Sequence, residues 1–390
     1  MTRRFRELGR QITRRSFGRL LKPAHEAAKT APVLEAGGDR PLQMTFTDQL
    51  DALVYLHLEG FESGRDLLQA LEENDFARQE VAPEGGIQKS SFFEILSTRG
   101  LDQLAHVFNG ILKEAHALLP KGYPHLGELR AIDGSLLDAV QSMAWAQYRD
   151  GAKKAKVHLG FDINRSIPSK IFLSEGKADE RPYVSQILSA EETGVMDRYY
   201  QCHRDFDLWQ GEHKHFICRI RANTRRTELA SNPVTAGTIV FYDGVCLLGT
   251  QGVNQTEKPV RIVAYRVGRK AYWIATDRHD LSAEDVAMAY KLRWNIEIFF
   301  GWWKHHLNVY HLISRSPHGL MVQILAGLIT YVLLAIYCHE EYGEKVSIKR
   351  VREVRHKIRN EAATSDSDAS ETVENGPRSE HGLAVSLAIS

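Results

Sequence analysis

The stretch AYKLRWNIEIFFGWWKHHLN, residues 289–308, decides how the rest of the chain is read. At about 100° per residue, Tyr290, Arg293, Glu297 and Lys304 fall within roughly 60° of one another. Their spacings of three, four and seven predict one helical face running along about 21 Å. Ile296, Ile298, Phe299, Trp302, Trp303 and Leu307 cover much of the remaining circumference. A helix apolar nearly all round is a buried helix, and a carboxylate inside it needs a partner, a metal or a raised pKa. A surface helix with an Arg293–Glu297 i,i+4 pair is the plain alternative, so other carboxylates must break the tie.

Residues 320–338 (LMVQILAGLITYVLLAIYC) are long enough to span a bilayer, but they hold Gln323 and Thr330 and follow the first helix directly. They are read as a buried core helix, with no membrane partner. The chain upstream of residue 289 splits into two patterns. Residues 40–118 carry apolar side chains at three- and four-residue steps, which predicts several helices with helix–turn–helix character and a loop at EVAPEGGIQK. From about residue 125 the period falls to two. ELRAIDGSLLDAV reads as a short strand ending at Asp133-Gly134. In KKAKVHLGFDINRS, Lys154, Lys156 and His158 alternate with Ala155, Val157, Leu159 and Phe161, which predicts a polar and an apolar strand face. SKIFLSEG is a third strand, ERPYVSQILSA a helix, and TGVMDRYY a fourth strand ending at Asp197. Residues of about 210–277 are rich in β-formers and read as an insertion.

The 390 residues allow two or three domains. Net charge is only +1, from 50 Lys and Arg against 49 Asp and Glu, so no global field demands a nucleic-acid partner. The charge is segregated, however. Eight basic residues stand against Glu7 in residues 1–25, seven against Glu353 in 345–359, and six acids against Arg378 in 361–390. Basic blocks beside an acidic tail suit contact with a polyanion. Cys202, Cys218, Cys246 and Cys338 have no metal-site or disulfide spacing, which points to a reducing cytosol.

Three strands, a helix and a fourth strand, with acids at the ends of the first and fourth, is the order of a ribonuclease-H-like sheet. There Asp133 and Asp197 would be neighbours, and Glu297 would complete a three-carboxylate cluster. Such carboxylates repel and raise each other's pKa unless a cation joins them. Two Mg²⁺ ions would make the cluster competent for in-line displacement at phosphorus.

YKLRWNIEIFFGWWK matches the Y-(2)-R-(3)-E-(6)-K signature of DDE transposases of the bacterial insertion-sequence type, and IDGS and VMDRYY resemble that family's first and second Asp motifs. The resemblance covers about residues 40–340. It implies an α/β chain: a ribonuclease-H-like catalytic domain at 125–345 with the β-rich insertion, and a helical DNA-binding domain at 40–118. A basic arm (1–39) and a disordered acidic tail (361–390) would flank them. By resemblance, Asp133, Asp197 and Glu297 hold two Mg²⁺ ions, with Mn²⁺ able to substitute. Tyr290 and Arg293 grip phosphates, and Lys304 the DNA near the cleaved strand. Trp273, where related transposases place a base-stacking Trp, either stacks on a flipped base or is a core residue of its strand. From their positions, Arg198 contacts phosphate or braces the acids, and Lys156 and His158, one strand over from Asp133, either touch DNA or form an exposed strand face. The implied partners are terminal inverted repeats, target DNA and a second copy of the chain in a synaptic dimer. The implied location is the bacterial cytoplasm, at the nucleoid, and the expected course is cut-and-paste transposition through a hairpin. Asp138, Asp162, Asp205 and Asp207 lack a motif context and read as surface or capping residues.

One position departs from the family. The usual Asp-Arg-Gly-Tyr is Asp197-Arg198-Tyr199-Tyr200 here. A Gly beside a catalytic Asp often supplies a backbone angle that a Cβ forbids, so Tyr199 raises the reading of an impaired copy that only binds DNA. A paired-carboxylate glycosidase is a further rival, but it would need neither Arg293 nor Lys304 beside the Glu.

Overall fold

The computed structural model describes residues 16–34 and 42–374, with side chains described as far as residue 361. The helices are α1 (Ser16–Ala28), α2 (Phe46–Glu59), α3 (Gly64–Glu73), α4 (Asp75–Glu80), α5 (Lys89–Thr98) and α6 (Leu101–Leu118), then α7 (Val184–Ile187), α8 (His203–Gly211), α9 (Ala283–Leu292), α10 (Trp294–His306), α11 (Pro317–Tyr342) and α12 (Ile348–Glu374). The strands are β1 (Leu129–Asp138), β2 (Lys154–Asp162), β3 (Ile167–Glu175), β4 (Thr193–Met196), β5 (His215–Ile220), β6 (Arg226–Ser231), β7 (Val240–Leu248), β8 (Val260–Val267) and β9 (Lys270–Thr276).

All nine strands form one sheet in the order β3-β2-β1-β4-β5-β9-β8-β7-β6. The first three are an antiparallel meander, and β1, β4 and β5 run parallel. This mixed α/β architecture is consistent with the expected ribonuclease-H-like sheet. One boundary is corrected: β5, read above as part of the insertion, is a strand of the parallel centre, so the added β-structure begins at β6. It does not form a separate body, because β9 pairs with β5 and carries the same sheet onward.

Alternation places two sets of side chains on two faces. Ala131, Leu159, Phe161, Val195 and Ile217 face α9, α10 and α11, while Ile132, Met196, Phe216 and Cys218 face α7 and α8 through Val184, Phe206 and Trp209. Both faces are therefore covered, which corrects the expectation of an exposed polar face on β2. Lys156 is only 9% exposed and His158 only 1%.

The long apolar segment is α11, and it is buried rather than exposed. Ser316 caps it, Pro317 occupies its first turn, and Gly343, at φ 63°, ends it in the left-handed conformation. It shares one core with α1, α2, α5 and α6 on one side and with β3 on the other. α2 carries a full capping box, Thr45 with Asp48, and delivers His57 into that core. α1 lies within the stretch read as a basic arm, with Phe17, Leu20 and Leu21 buried. α12 runs on to Glu374, into the stretch whose composition reads as disordered. The rest of the arm and tail, residues 1–15, 35–39 and 375–390, lies outside the described residues.

Candidate active site

β1 does not end at Asp133-Gly134, as its sequence suggests, but continues to Asp138 because β2 supplies a partner at every position, including Gly134 opposite His158. Asp133 therefore sits in mid-strand. The parallel ladder between β1 and β4 pairs Leu129 with Thr193, Arg130 with Gly194 and Ala131 with Val195. Two residues further along each strand come Asp133 and Asp197, level with one another and on the face toward α10. Asp197 follows β4 directly and caps a 3₁₀ turn at Arg198–Tyr200, its Oδ1 accepting the Tyr199 amide at 2.8 Å. Asp133 Oδ1 accepts the amide of Gly134 at 2.9 Å.

The signature stretch forms two helices, not one. α9 and α10 meet at Arg293, whose backbone stays helical at φ −51° and ψ −32°, so the face survives the break. From that junction Arg293 reaches both acids: Nη2 lies 2.5 Å from Glu297 Oε1, and Nη1 lies 3.4 Å from Asp133 Oδ2. Lys304 Nζ donates to the β1 carbonyl of Leu136 at 2.7 Å. Tyr290 is 7% exposed, with Arg293 at 6.0 Å from its ring and Arg219 interacting with its hydroxyl. The stripe thus faces the sheet at the level of Asp133.

Burial pushes the Asp133 carboxyl up to about 7, against the pull of Arg293 and the Gly134 amide, and the charges of Asp197 and Glu180 raise it further. Burial alone works against the charge of Arg293, but its hydrogen bond to Glu297 and the charge of Asp133 raise its pKa above the ordinary value. A buried carboxylate this reluctant to ionise beside a second one is a place where a cation gains free energy. Hard carboxylate oxygens on Asp133 and Asp197 fit Mg²⁺ or Mn²⁺ by donor chemistry. Among the described residues no three ligating side chains converge on one point. Glu297 is held on Arg293 through its Oε1.

Arg198 is exposed and lines a recess with Asp197, Tyr199, Arg221 and Asn223. Trp273, on β9, is packed by its own neighbours: the Arg226 guanidinium lies 3.9 Å from its ring centre, and Phe241 and Tyr242 lie at 5.6 Å. Lys156 and His158 point away from Asp133, on the opposite face of the sheet. Lys156 pairs with Glu180 at 3.2 Å, and His158 stacks on Tyr183 at 3.8 Å. Asp162, read as a surface or capping residue, is fully buried. Burial opposes its charge, yet His116, Arg130 and Arg165 hold its carboxyl at about 2.

Tyr199 has no left-handed backbone. The described non-glycine residues with positive φ are Asp150, Ser166, Glu191, His213 and Asn308. The side chain of Tyr199 points outward at 53% exposure. The angle that would have demanded Gly is not used, which removes the one observation favouring an impaired copy.

Three residues at the site carry no signal strong enough to single them out from sequence alone. Arg219 on β5 continues the row of Asp133 and Asp197, one step past the Met196–Cys218 pair, and lies 4.8 Å from the Tyr272 ring centre. A charge inside the apolar run FICRI was its trace. Tyr200 was visible only as part of the second Asp motif. Glu180 lies in a crossover with no motif at all.

Residues 124–333 match the family model for the transposase DDE domain. A protein of Geobacillus stearothermophilus named "Probable transposase for insertion sequence element IS5377" is 28% identical over 232 residues, covering 58% of this chain and 61% of that protein. One of Sinorhizobium fredii, named "Putative transposase y4zB", is 24% identical over 218 residues, 53% of this chain and 60% of that one. One of Synechocystis, named "Putative transposase for insertion sequence element IS4SA", is 24% identical over 222 residues, 54% and 60%. The chain thus spans about 60% of the length of these relatives. The matched segment runs from just before β1 into α11 and contains both aspartates and the Arg293–Glu297 pair, so the chain belongs to the transposase DDE domain family.

Proposed function

We propose that the chain is a metal-dependent DNA transposase of the subgroup with the Tyr-Arg-Glu-Lys signature. It would cleave the ends of an insertion sequence and join them to target DNA. The observation that carries this reading is the level placement of Asp133 and Asp197, with Arg293 tying Asp133 to Glu297. Asp133, Asp197 and, once freed from Arg293, Glu297 would hold two Mg²⁺ ions. Bound there, the ions would activate the attacking water or 3′-hydroxyl and offset charge on the displaced oxygen.

The chain's own residues bind and orient. Arg293 changes partner from carboxylate to phosphate, for which its fork is suited, and so links arrival of DNA to release of Glu297. Lys304 steadies β1 through the carbonyl of Leu136, three residues beyond Asp133. Arg198 and Arg221 present charge along the recess beside Asp197, and Arg219 interacts with the hydroxyl of Tyr290 on the signature face. Trp273 would meet a base only after Arg226 moves aside. The helices of residues 40–118 are the element proposed to bind terminal repeats, as part of a homodimer holding two ends in the cytoplasm at the nucleoid.

The test is incubation of the purified chain with duplexes bearing the terminal repeats of its own element. Cleavage leaving a 3′-hydroxyl is expected with Mg²⁺ or Mn²⁺, and binding without cleavage with Ca²⁺. Undiminished cleavage by Glu297→Ala would sink the assignment.

A further inference from the structure

Apart from the three signature carboxylates, Glu180 is an acid whose surroundings are hard to explain as surface chemistry. It lies in the crossover between β3 and β4, and its side chain is 16% exposed. Its carboxylate accepts a hydrogen bond from Tyr200 Oη at 2.8 Å and pairs with Lys156 Nζ at 3.2 Å. It also lies flat against β1. A Cβ added to Gly134 would come within 2.5 Å of the Glu180 carboxyl carbon and 2.7 Å of both its oxygens. Gly134 follows Asp133 directly, and Tyr200 closes the turn that Asp197 caps. Lys156 donates as well to the Ala178 carbonyl at 2.8 Å, tying the crossover itself to β2.

The backbone explains why such a link is needed. The β1–β4 ladder ends at Ala131 and Val195, two residues short of both acids. Beyond that point no paired backbone bonds hold Asp133 against Asp197. The next groups to span the gap are Gly134, Glu180 and Tyr200. Tyr200 is 1% exposed, and burial keeps its hydroxyl a phenol and hence a donor.

We infer that Glu180 is a positioning residue: its carboxylate, packed on Gly134 and bonded to Tyr200 and Lys156, clamps the two strand ends that carry Asp133 and Asp197. It touches neither acid and acts from the opposite face of the sheet. A Cβ at position 134 would push the clamp aside, because the Glu180 carboxylate occupies that space. The consequence for metal binding rests on the function proposed above; the clamp itself does not. Outer partners of this kind typically alter metal affinity by about 10–100-fold when removed.

The experiment uses the full chain carrying Tyr200→Phe, which deletes one hydroxyl and no volume, and separately Glu180→Gln. Amide hydrogen exchange is followed without metal at residues 129–138 and 197–201, where the Gly134 and Tyr199 amides bond directly to the two acids. At least tenfold faster exchange is expected in both segments together, with α11 unchanged. Adding Lys156→Met to Glu180→Gln should recover part of the loss, because it removes the stranded charge. Mn²⁺ affinity, read by paramagnetic resonance, should fall at least tenfold in Tyr200→Phe. Unchanged exchange, or acceleration in only one of the two segments, overturns the clamp. A wild-type chain that binds no Mn²⁺ defeats the metal-site reading instead, and the exchange result still decides the clamp.

Discussion

Arg293 is shared between Glu297, 2.5 Å from one guanidinium nitrogen, and Asp133, 3.4 Å from the other. Its side chain is only 11% exposed, while those of Asp133 and Glu297 are 24% and 33% exposed. Arg293→Ala should leave two carboxylates without their cation. The expected cost is about 1–3 kcal/mol in urea unfolding without metal. Millimolar Mg²⁺ should restore more stability to Arg293→Ala than it adds to wild type. Equal Mg²⁺ effects on both proteins would mean that Arg293 and the ion do not compensate the same charges.

Asp133 should show the opposite balance. Its folded carboxyl, at about 7, lies above the ordinary 3.8, so the folded state holds its proton more tightly than the unfolded state. Without metal, stability should therefore fall as pH rises from about 4 through about 7, by up to roughly 4 kcal/mol from this group. Asp133→Asn should abolish cleavage and flatten that slope. If its unfolding curves keep the wild-type pH dependence, Asp133 is not the group responsible.

His57 works in the other direction. It is fully buried between the carbonyls of Leu307 and Gln323, at 2.6 and 3.1 Å, and burial pushes its pKa down to about 4, below the ordinary 6.5. The folded state thus favours the neutral ring. Stability from this group is complete above about 6.5 and is lost as pH falls toward about 4. Between neutral pH and about pH 5 the loss should be on the order of 2 kcal/mol. In His57→Gln, thermal melting should lose that share of its acid sensitivity; an unchanged acid limb would refute the assignment.

Arg221 is exposed on the recess beside Asp197 and has no role in the core. Arg221→Ala should leave the melting temperature in place. It should lower the log–log salt slope of DNA binding by about one, the value for one lost phosphate contact. A slope identical to wild type would show that the DNA backbone does not pass along this recess.

Tyr199→Gly returns the family's residue to the turn after Asp197. Because Tyr199 has no positive φ, no gain in cleavage rate is expected. A loss of up to about 1 kcal/mol of stability is expected from the added freedom of the unfolded chain. A large rate gain would revive the impaired-copy reading.

The legible parts of this molecule were those with a short-range rhythm. Alternation exposed β2, and the three-four-seven spacing exposed the face that carries Tyr290, Arg293, Glu297 and Lys304. Rhythm could not show where strands stop, since β1 runs past Asp133 only because β2 is there to pair with it. Nor could it show that the polar face of β2 is covered, because the covering atoms of Glu180 and Tyr183 come from a crossover with no period of its own. Asp162 does cap its turn, accepting the Arg165 amide at 3.0 Å, but its burial was not legible, because its partners Arg130 and His116 lie 32 and 46 positions upstream in the sequence. The break between α9 and α10 left no trace, since a helical backbone at Arg293 keeps the spacing intact.

The burial of α11 also sets an order of events during synthesis. His57 on α2 finds its second ring partner in Gln323, 266 positions later in the chain. At roughly 5–20 residues per second, a ribosome needs about 13–53 s to make what lies between. For that interval α1, α2, α5 and α6 have no α11 to cover their apolar faces. The sheet and the N-terminal helices therefore reach their final packing together, only after α11 has left the exit tunnel.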